Sequence, residues 1–71
     1  MTKVKFIDVG RDKRNWIAEM NRVTPDMLAR EAKINGGIRS NHTAIVLDVD
    51  SMTGEVYVAG RNVGQFEILK T

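Results

Sequence analysis

The fold is decided by residues 41–70, which read NHTAIVLDVDSMTGEVYVAGRNVGQFEILK. Three short apolar runs rich in β-branched residues are separated by Gly-containing segments at 50–54 and 60–64. Alternating runs bounded by turn residues are typical of an antiparallel meander. We therefore predict three consecutive strands, with Gly54 supplying the positive φ that the first turn needs.

A hairpin is predicted before the meander. Its first strand, residues 3–9, carries apolar side chains on both faces, and simple alternation places Val9 on the face opposite Phe6. After a polar turn, residues 15–20 alternate again. Apolar residues within 15–23 also recur at helical spacing, so the sequence leaves strand and helix open for that segment.

A short helix is predicted between the hairpin and the meander. Thr24 can cap its amino end, and Pro25 suits the first helical position. Strong helix formers continue to residue 34, and the glycines that follow stop the helix, with Gly36 or Gly37 available for a left-handed cap. The apolar stripe consists of Met27, Leu28, Ala32 and Ile34.

These elements predict an α+β fold in one domain, residues 1–71. The order is ββαβββ, and one helix packs on one face of an antiparallel sheet because two turns of helix are unstable alone. The predicted core is Phe6, Leu28, Ala32, Ile45, Leu47, Val56, Val58, Phe66 and Ile68, with Trp16 beside it.

Composition narrows the class of protein. The chain has 71 residues, no Cys and one His, which argues against disulfides and structural zinc. No apolar run approaches the ~18–20 residues that cross a bilayer, and acidic Asp8 argues against a signal peptide. We predict a cytoplasmic protein without cofactor, metal or membrane partner. A core this small favours self-association, so a homo-oligomer is an open alternative.

Charge is distributed unevenly along the chain. The net charge is only +2, but residues 1–40 carry +4 and residues 41–71 carry −2. The amino-terminal half therefore offers a surface for an anionic partner.

Two arrangements invite a catalytic or metal-binding interpretation, and neither is favoured. His42 is flanked by Ser40 and Thr43, but neighbours on a strand point to opposite faces. Asp48 and Asp50 do not match the spacing of a calcium loop, and Asp before a Gly-containing turn is typical of hairpins. We predict a protein that is not an enzyme and has no catalytic residues.

Arg lies beside Gly in three predicted loops, at 10–11, 37–39 and 60–61. Gly lets backbone amides approach an anion, and Arg supplies a forked donor. If the loops converge, they could hold a phosphate, a nucleotide or a nucleic-acid backbone.

Basic residues also accompany the single Trp. Arg11, Lys13 and Arg14 precede Trp16, and cations beside an aromatic ring suit single-stranded nucleic acid or a protein interface. Acidic residues are interleaved with the cations, and no recognised nucleic-acid signature is present. The predicted partner-binding residues are Arg11, Lys13, Arg14, Trp16, Arg30, Lys33, Arg39 and Arg61.

In size and element order the chain resembles the small α+β inhibitor proteins of bacteriophages, anti-CRISPR proteins among them. That resemblance implies an inhibitor and assigns no residue. We predict a small binding protein, an inhibitor or assembly partner that contacts another protein through a basic and aromatic face with Trp16 as the anchor. The alternative is binding of nucleic acid or a phosphorylated small ligand through the Gly-Arg loops.

Overall fold

The computed structural model describes residues 1–39 and 42–69, which form one helix and five strands. The predicted link residues Ser40 and Asn41, and Lys70 at the end of the meander stretch, lie outside the described residues. The elements are β1 (Thr2–Val9), β2 (Arg14–Met20), α1 (Pro25–Asn35), β3 (Thr43–Asp48), β4 (Thr53–Val58) and β5 (Arg61–Leu69). The α+β class and the ββαβββ order are confirmed, and the segment left open between strand and helix is a strand as far as Met20.

The five strands form a single antiparallel sheet in the order β2-β1-β5-β4-β3. β5 therefore lies in the centre between the hairpin and the rest of the meander, and β2 and β3 are the two edges. Helix α1 lies on one face and packs against β3. The predicted helix-on-sheet arrangement is thus confirmed.

The helix begins and ends where the sequence predicts. The Thr24 hydroxyl accepts a hydrogen bond from the Met27 backbone N–H at 3.2 Å, which satisfies one amide of the first turn. At the other end the Gly36 N–H donates to the Ala32 carbonyl at 2.8 Å. Gly36 keeps a right-handed φ of −86°, and Gly37 is the residue that adopts the left-handed conformation, with φ of +70°.

The core is centred on β1 and β5 rather than on the whole meander. Six of the predicted core residues are buried: Phe6, Leu28, Ala32, Val56, Phe66 and Ile68. Ile45 and Leu47 are only half-buried, because β3 is a sheet edge that lacks a further neighbour, and Val58 at the end of β4 is half-buried as well. The helix stripe is narrower than predicted, since Met27 is 43% exposed and Ile34 65% exposed.

A bulge in β1 places Val9 in the core, against the alternation predicted from sequence. The pairing of β1 with β2 shifts register between Phe6 and Val9, and Asp8 has a φ of +51°. One extra residue in a strand reverses the side-chain alternation that follows it. Val9 consequently lies on the same face as Phe6 and is fully buried.

The turn between β3 and β4 differs from the prediction that Gly54 provides its positive φ. Met52 takes that conformation, with φ of +56°, and Gly54 lies within β4. Gly54 is instead needed for space, since a Cβ there would come within 2.7 Å of the Cε2 atom of Phe66. The Phe66 ring therefore fills the position that a side chain at Gly54 would occupy.

The turn between β4 and β5 is shorter than the predicted five-residue segment 60–64. Only Ala59 and Gly60 connect the strands, with φ of +50° and +80°, and β5 begins at Arg61. Positive φ at both central residues is characteristic of the type I′ turns that join antiparallel strands tightly.

Candidate functional site

Three connections of the chain meet at one end of the sheet. They are the β1–β2 turn, the segment that follows α1, and the β4–β5 turn. The Gly10 N–H donates to the Val63 carbonyl at 2.8 Å, and the Ala59 N–H donates to the His42 carbonyl at 3.4 Å. Backbone hydrogen bonds thus hold the loops of this end against neighbouring elements.

Glycines allow the β1–β2 turn to approach the end of the helix. Gly10 has a φ of +82°, and a Cβ there would clash with the carbonyl oxygen of Gly36. A Cβ at Gly36 would in turn lie 2.6 Å from the Cγ1 atom of Val9. The contact between these two loops is therefore backbone against backbone, which no other residue type permits.

A groove lies on the helix side of this end. It has a volume of about 730 Å³, and Gly10, Gly37, Ile38, Val58 and Val63 contribute to its walls. The basic side chains that line it are Arg11, Arg14, Lys33 and Arg39. Arg11 and Arg39 come from loops, Arg14 is the first residue of β2, and Lys33 comes from the last turn of α1.

A second groove lies on the other side of the same loops. It has a volume of about 680 Å³ and shares Gly10, Arg11, Val58 and Val63 with the first. Lys13 and Arg61 add two further cations. The two grooves therefore flank a ridge at Arg11. We call Arg11, Lys13, Arg14, Lys33, Arg39 and Arg61 together the basic end.

The basic end concentrates the charge of the chain. It holds six of the eleven Lys and Arg residues but only two of the nine acidic residues, Asp8 and Asp12, among the side chains of its turns and grooves. The local balance is therefore about +4 against a net charge of +2 for the whole chain. An anion approaching this end meets a positive potential that the net charge understates.

Arg14 lines the first groove and also makes contacts that stabilise the fold. Its Nη2 atom lies 3.3 Å from Asp12 Oδ2, and its Nη1 atom donates to the Asn35 carbonyl at 3.2 Å. Asn35 is in the last turn of α1, where carbonyls lack helical partners and the helix dipole favours a cation. By contrast, the side chains of Arg11, Lys13, Arg39 and Arg61 make no hydrogen bond or ion pair within the described residues.

The structure separates Trp16 and Arg30 from the other predicted binding residues. The Trp16 ring is half-buried and stacks on Phe6 at a centroid distance of 4.7 Å, with an angle of 12° between the planes. Its Nε1–H donates to Glu31 Oε1 at 3.2 Å. Trp16 therefore ties β2 to the core and the helix, while Arg30 is exposed on α1 and lines neither groove.

Asn62 and Gln65 line the second groove and were missed by the sequence reasoning, which considered only cations and Trp. The Asn62 side chain donates to Glu55 and accepts from the Gly64 N–H at 3.0 Å. Tyr57 donates to the same carboxylate at 3.1 Å. This hydrogen bond, together with the negative charge of Glu55, raises the pKa of Tyr57 above its ordinary value of 10.0. The position of Asn62 one residue after a Gly-Arg pair was the available signal.

The catalytic and metal alternatives gain no support from the geometry. Asp48 Oδ1 accepts from the N–H groups of Asp50 and Ser51 at 3.0 and 3.4 Å, so this carboxylate organises the hairpin turn. Within residues 1–39 and 42–69, no three His, Cys, Asp or Glu side chains lie close enough to share a metal ion. His42 is exposed, and Ser40, its predicted neighbour, lies outside the described part of the chain.

Within the described ranges, helix α1 is neither long enough nor apolar enough to span a membrane. Comparison of the chain with protein families, with curated proteins and with solved structures finds no match in any of the three.

Proposed function

We propose that this chain is a binding protein that recognises the phosphate backbone of nucleic acid through the basic end. The observation that supports the proposal is the convergence of all three Gly-Arg loops on one end of the sheet, where six cations line two adjoining grooves. Convergence of these loops is the condition under which the sequence allowed a phosphate-bearing ligand, as the alternative to a protein partner.

The chemistry of the basic end suits phosphates better than bases. Arg presents a planar fork of donors that matches phosphate oxygens, and three of the four cations of the basic end that make no hydrogen bond or ion pair within the described residues are Arg. Trp16, which could have stacked on a base, is engaged by Phe6 and Glu31. Contacts to phosphate fix position without reading sequence, so binding is expected to be largely independent of sequence.

The number of available cations sets the expected salt dependence. If Arg11, Lys13, Arg39 and Arg61 each neutralise one phosphate, the slope of log affinity against log salt is about −3.6 for duplex DNA. Affinity then falls on the order of a hundredfold between about 50 and 200 mM salt. A ligand held mainly by apolar contact shows a much smaller change.

Charge-matched variants test the proposal. The variant carrying Arg11→Ala, Arg39→Ala and Arg61→Ala is expected to lose most of its affinity for duplex DNA and RNA and most of the salt slope. The control carries Lys3→Ala, Arg22→Ala and Arg30→Ala, which removes the same charge from residues that line neither groove. Fluorescence anisotropy with labelled duplexes measures both. Equal losses in the two variants, or wild-type binding without salt dependence, would contradict the proposal.

A protein partner with an acidic surface is the second candidate, and the half-buried state of Trp16 gives it a specific test. Trp16→Phe keeps an aromatic ring against Phe6 and removes the indole N–H together with one ring of the bicyclic side chain. If Trp16 anchors a partner, this variant loses partner affinity. If the basic end alone is responsible, partner affinity is retained and stability falls, by about 0.5–1.5 kcal/mol through the lost hydrogen bond and further through the smaller ring against Phe6. The inhibitor role implied by the resemblance to phage proteins stays a prediction.

A further inference from the structure

The face of the sheet opposite α1 is uncovered within the described residues. Side chains alternate along each strand, so the residues between the buried positions of β1, β2 and β5 point to this face. Ile17 is 57% exposed and Val46, on edge strand β3, is 52% exposed, while Ile7 and Leu69 are half-buried. The open face thus carries apolar side chains within a polar surround.

Charges of both signs lie on the open face. Lys3 and Lys5 lie on β1, with Glu19 opposite Lys3 on β2, whereas Glu67 lies on β5, Glu55 on β4 and Asp48 on β3. The register places Lys5 directly opposite Glu67 across the β1–β5 boundary. Because Lys5 and Glu67 lie at the same level on either side of this boundary, a copy rotated about the boundary brings each of these charges over its opposite.

We propose that the open face binds a second copy of this chain and forms a symmetric dimer. The two-fold axis runs parallel to the strands, between β1 and β5. Rotation about that axis brings Lys5 of each copy onto Glu67 of the other, so the contact is made twice. The same rotation sets Ile17 of one copy over Thr53 of the other, since both flank the Lys5–Glu67 row in the register.

The alternative axis is disfavoured by charge. A two-fold axis across the strands would place β1 on β1, which brings the Lys side chains of the two copies together. Like charges brought face to face in an interface cost free energy. The axis along the strands is therefore the one that this charge pattern selects, and an isologous contact of that kind closes after two copies.

The overlap about this axis has the size of a weak interface. β1 lies over β5 and β2 over β4, so four strands of each copy overlap and β3 has no counterpart. Four strands spaced about 4.8 Å apart and about six residues long at ~3.3 Å per residue give a flat footprint of about 19 by 20 Å. That is below the ~800 Å² per partner of a standard interface, so dimerisation is expected only at high protein concentration. One helix protects only the other face, so this is the remaining broad surface that self-association could cover.

The dimer has a consequence for the basic end. Rotation about an axis parallel to the strands keeps the direction of every strand, so the two basic ends lie side by side at one end of the pair. A nucleic-acid backbone that runs across both basic ends contacts twice as many cations as it does on one chain. This consequence rests on the proposed function, whereas the dimer itself does not.

Charge exchange tests the dimer directly, in the absence of nucleic acid. Sedimentation velocity from micromolar to millimolar protein is expected to show the wild-type chain dimerising. Lys5→Glu alone and Glu67→Lys alone each set like charges against each other twice, and each is expected to weaken dimerisation on the order of tenfold or more. A mixture of the two variants restores attraction at both contacts and is expected to form heterodimers.

Arg30→Glu on the exposed side of α1 is the matched control and is expected to dimerise like the wild type. Thermal unfolding at micromolar concentration checks that each single variant is folded. A wild-type chain that stays monomeric at millimolar concentration would overturn the proposal. Failure of the mixture to associate more strongly than either single variant would overturn it as well. DNA binding by a chain that stays monomeric would leave the proposed function intact, so the two failures are distinguishable.

Discussion

Replacing Ala59 by Asn is expected to stabilise the domain. Ala59 is exposed, and it is the first central residue of the β4–β5 turn, with φ of +50°. A residue with a Cβ is strained there because the Cβ approaches the neighbouring carbonyl oxygen, at a cost of roughly 1–2 kcal/mol. Asn tolerates this conformation, and Asn-Gly is the sequence that type I′ turns favour most. The Gly60 that follows already satisfies the second position.

The magnitude follows from the local geometry. The Ala59 N–H donates to the His42 carbonyl, and Asn retains that backbone donor. The substitution therefore removes strain without removing a contact, and we expect a gain of about 1 kcal/mol in the free energy of unfolding. For a domain of this size that corresponds to a rise in Tm of about 4–8 °C. Ala59→Gly should gain less, because Gly gives the unfolded chain more freedom, worth ~0.4–1 kcal/mol.

Urea unfolding followed by Trp16 fluorescence measures the change, since the chain contains one Trp. Ala44→Asn is the matched control. Ala44 is also exposed but lies in extended β3, where Asn is a poor strand former, so its free energy of unfolding should fall. If Ala59→Asn is neutral or destabilising while Ala44→Asn behaves as expected, the assignment of strain to the turn is refuted.

Three further changes have defined outcomes. Gly54→Ala should cost about 2–3 kcal/mol of unfolding free energy, since the added Cβ would overlap the buried Phe66 ring. Gly60→Ala meets no atom within 4 Å, so it should cost only the roughly 1–2 kcal/mol of backbone strain at φ of +80°. In urea titration, a loss at Gly54 no larger than the loss at Gly60 would contradict the packing at Gly54. Val9→Asp should unfold the domain, because the bulge at Asp8 buries Val9 in the core. Ile7→Asp should leave the domain folded, because Ile7 lies on the open face. Circular dichroism distinguishes the folded variant from the unfolded one. The raised pKa of Tyr57 favours its neutral form in the folded state, so the stabilisation from the Tyr57–Glu55 hydrogen bond is complete below pH 10.0 and is lost as the pH rises through the folded pKa. Phenolate absorbance reports this one Tyr, and Glu55→Gln should lower its pKa towards 10.0.

The helix and the element order were predictable because their signals are local. Thr24 and Pro25 act within one turn of the chain, and the glycines after residue 35 end the helix without help from distant residues. The alternating runs of the meander also needed only their neighbours. These features therefore appeared in the sequence in the form in which the structure contains them.

Burial was harder to predict because it depends on strand order. Ile45 and Leu47 alternate as well as Phe66 and Ile68 do, yet β3 is an edge and β5 the centre. No local sequence pattern indicates that β5 lies between β1 and β4 in the sheet. Val9 was assigned to the wrong face for a related reason, because a single positive φ at Asp8 reverses the alternation.

The members of the candidate site were largely identified from sequence, but their proximity was not. Arg11, Arg39 and Arg61 are separated by more than twenty residues each, and only the sheet order brings their loops to one end. Trp16 was predicted as the anchor of a binding face, and its contacts within the chain could not be predicted because they depend on how the strands pack. Its ring finds Phe6 across the β1–β2 pair, where the register places Phe6 opposite Trp16.

The concentration of cations at one end of the sheet gives the molecule a large electric dipole moment along the strands. The electric field of a nearby polyanion exerts a torque on such a dipole, so a polyanion meets the basic end more often than chance allows. On a cation-exchange column the same asymmetry should delay elution beyond that of a protein with +2 spread evenly over its surface. Retention would then report how charge is arranged in this small domain, independently of any ligand.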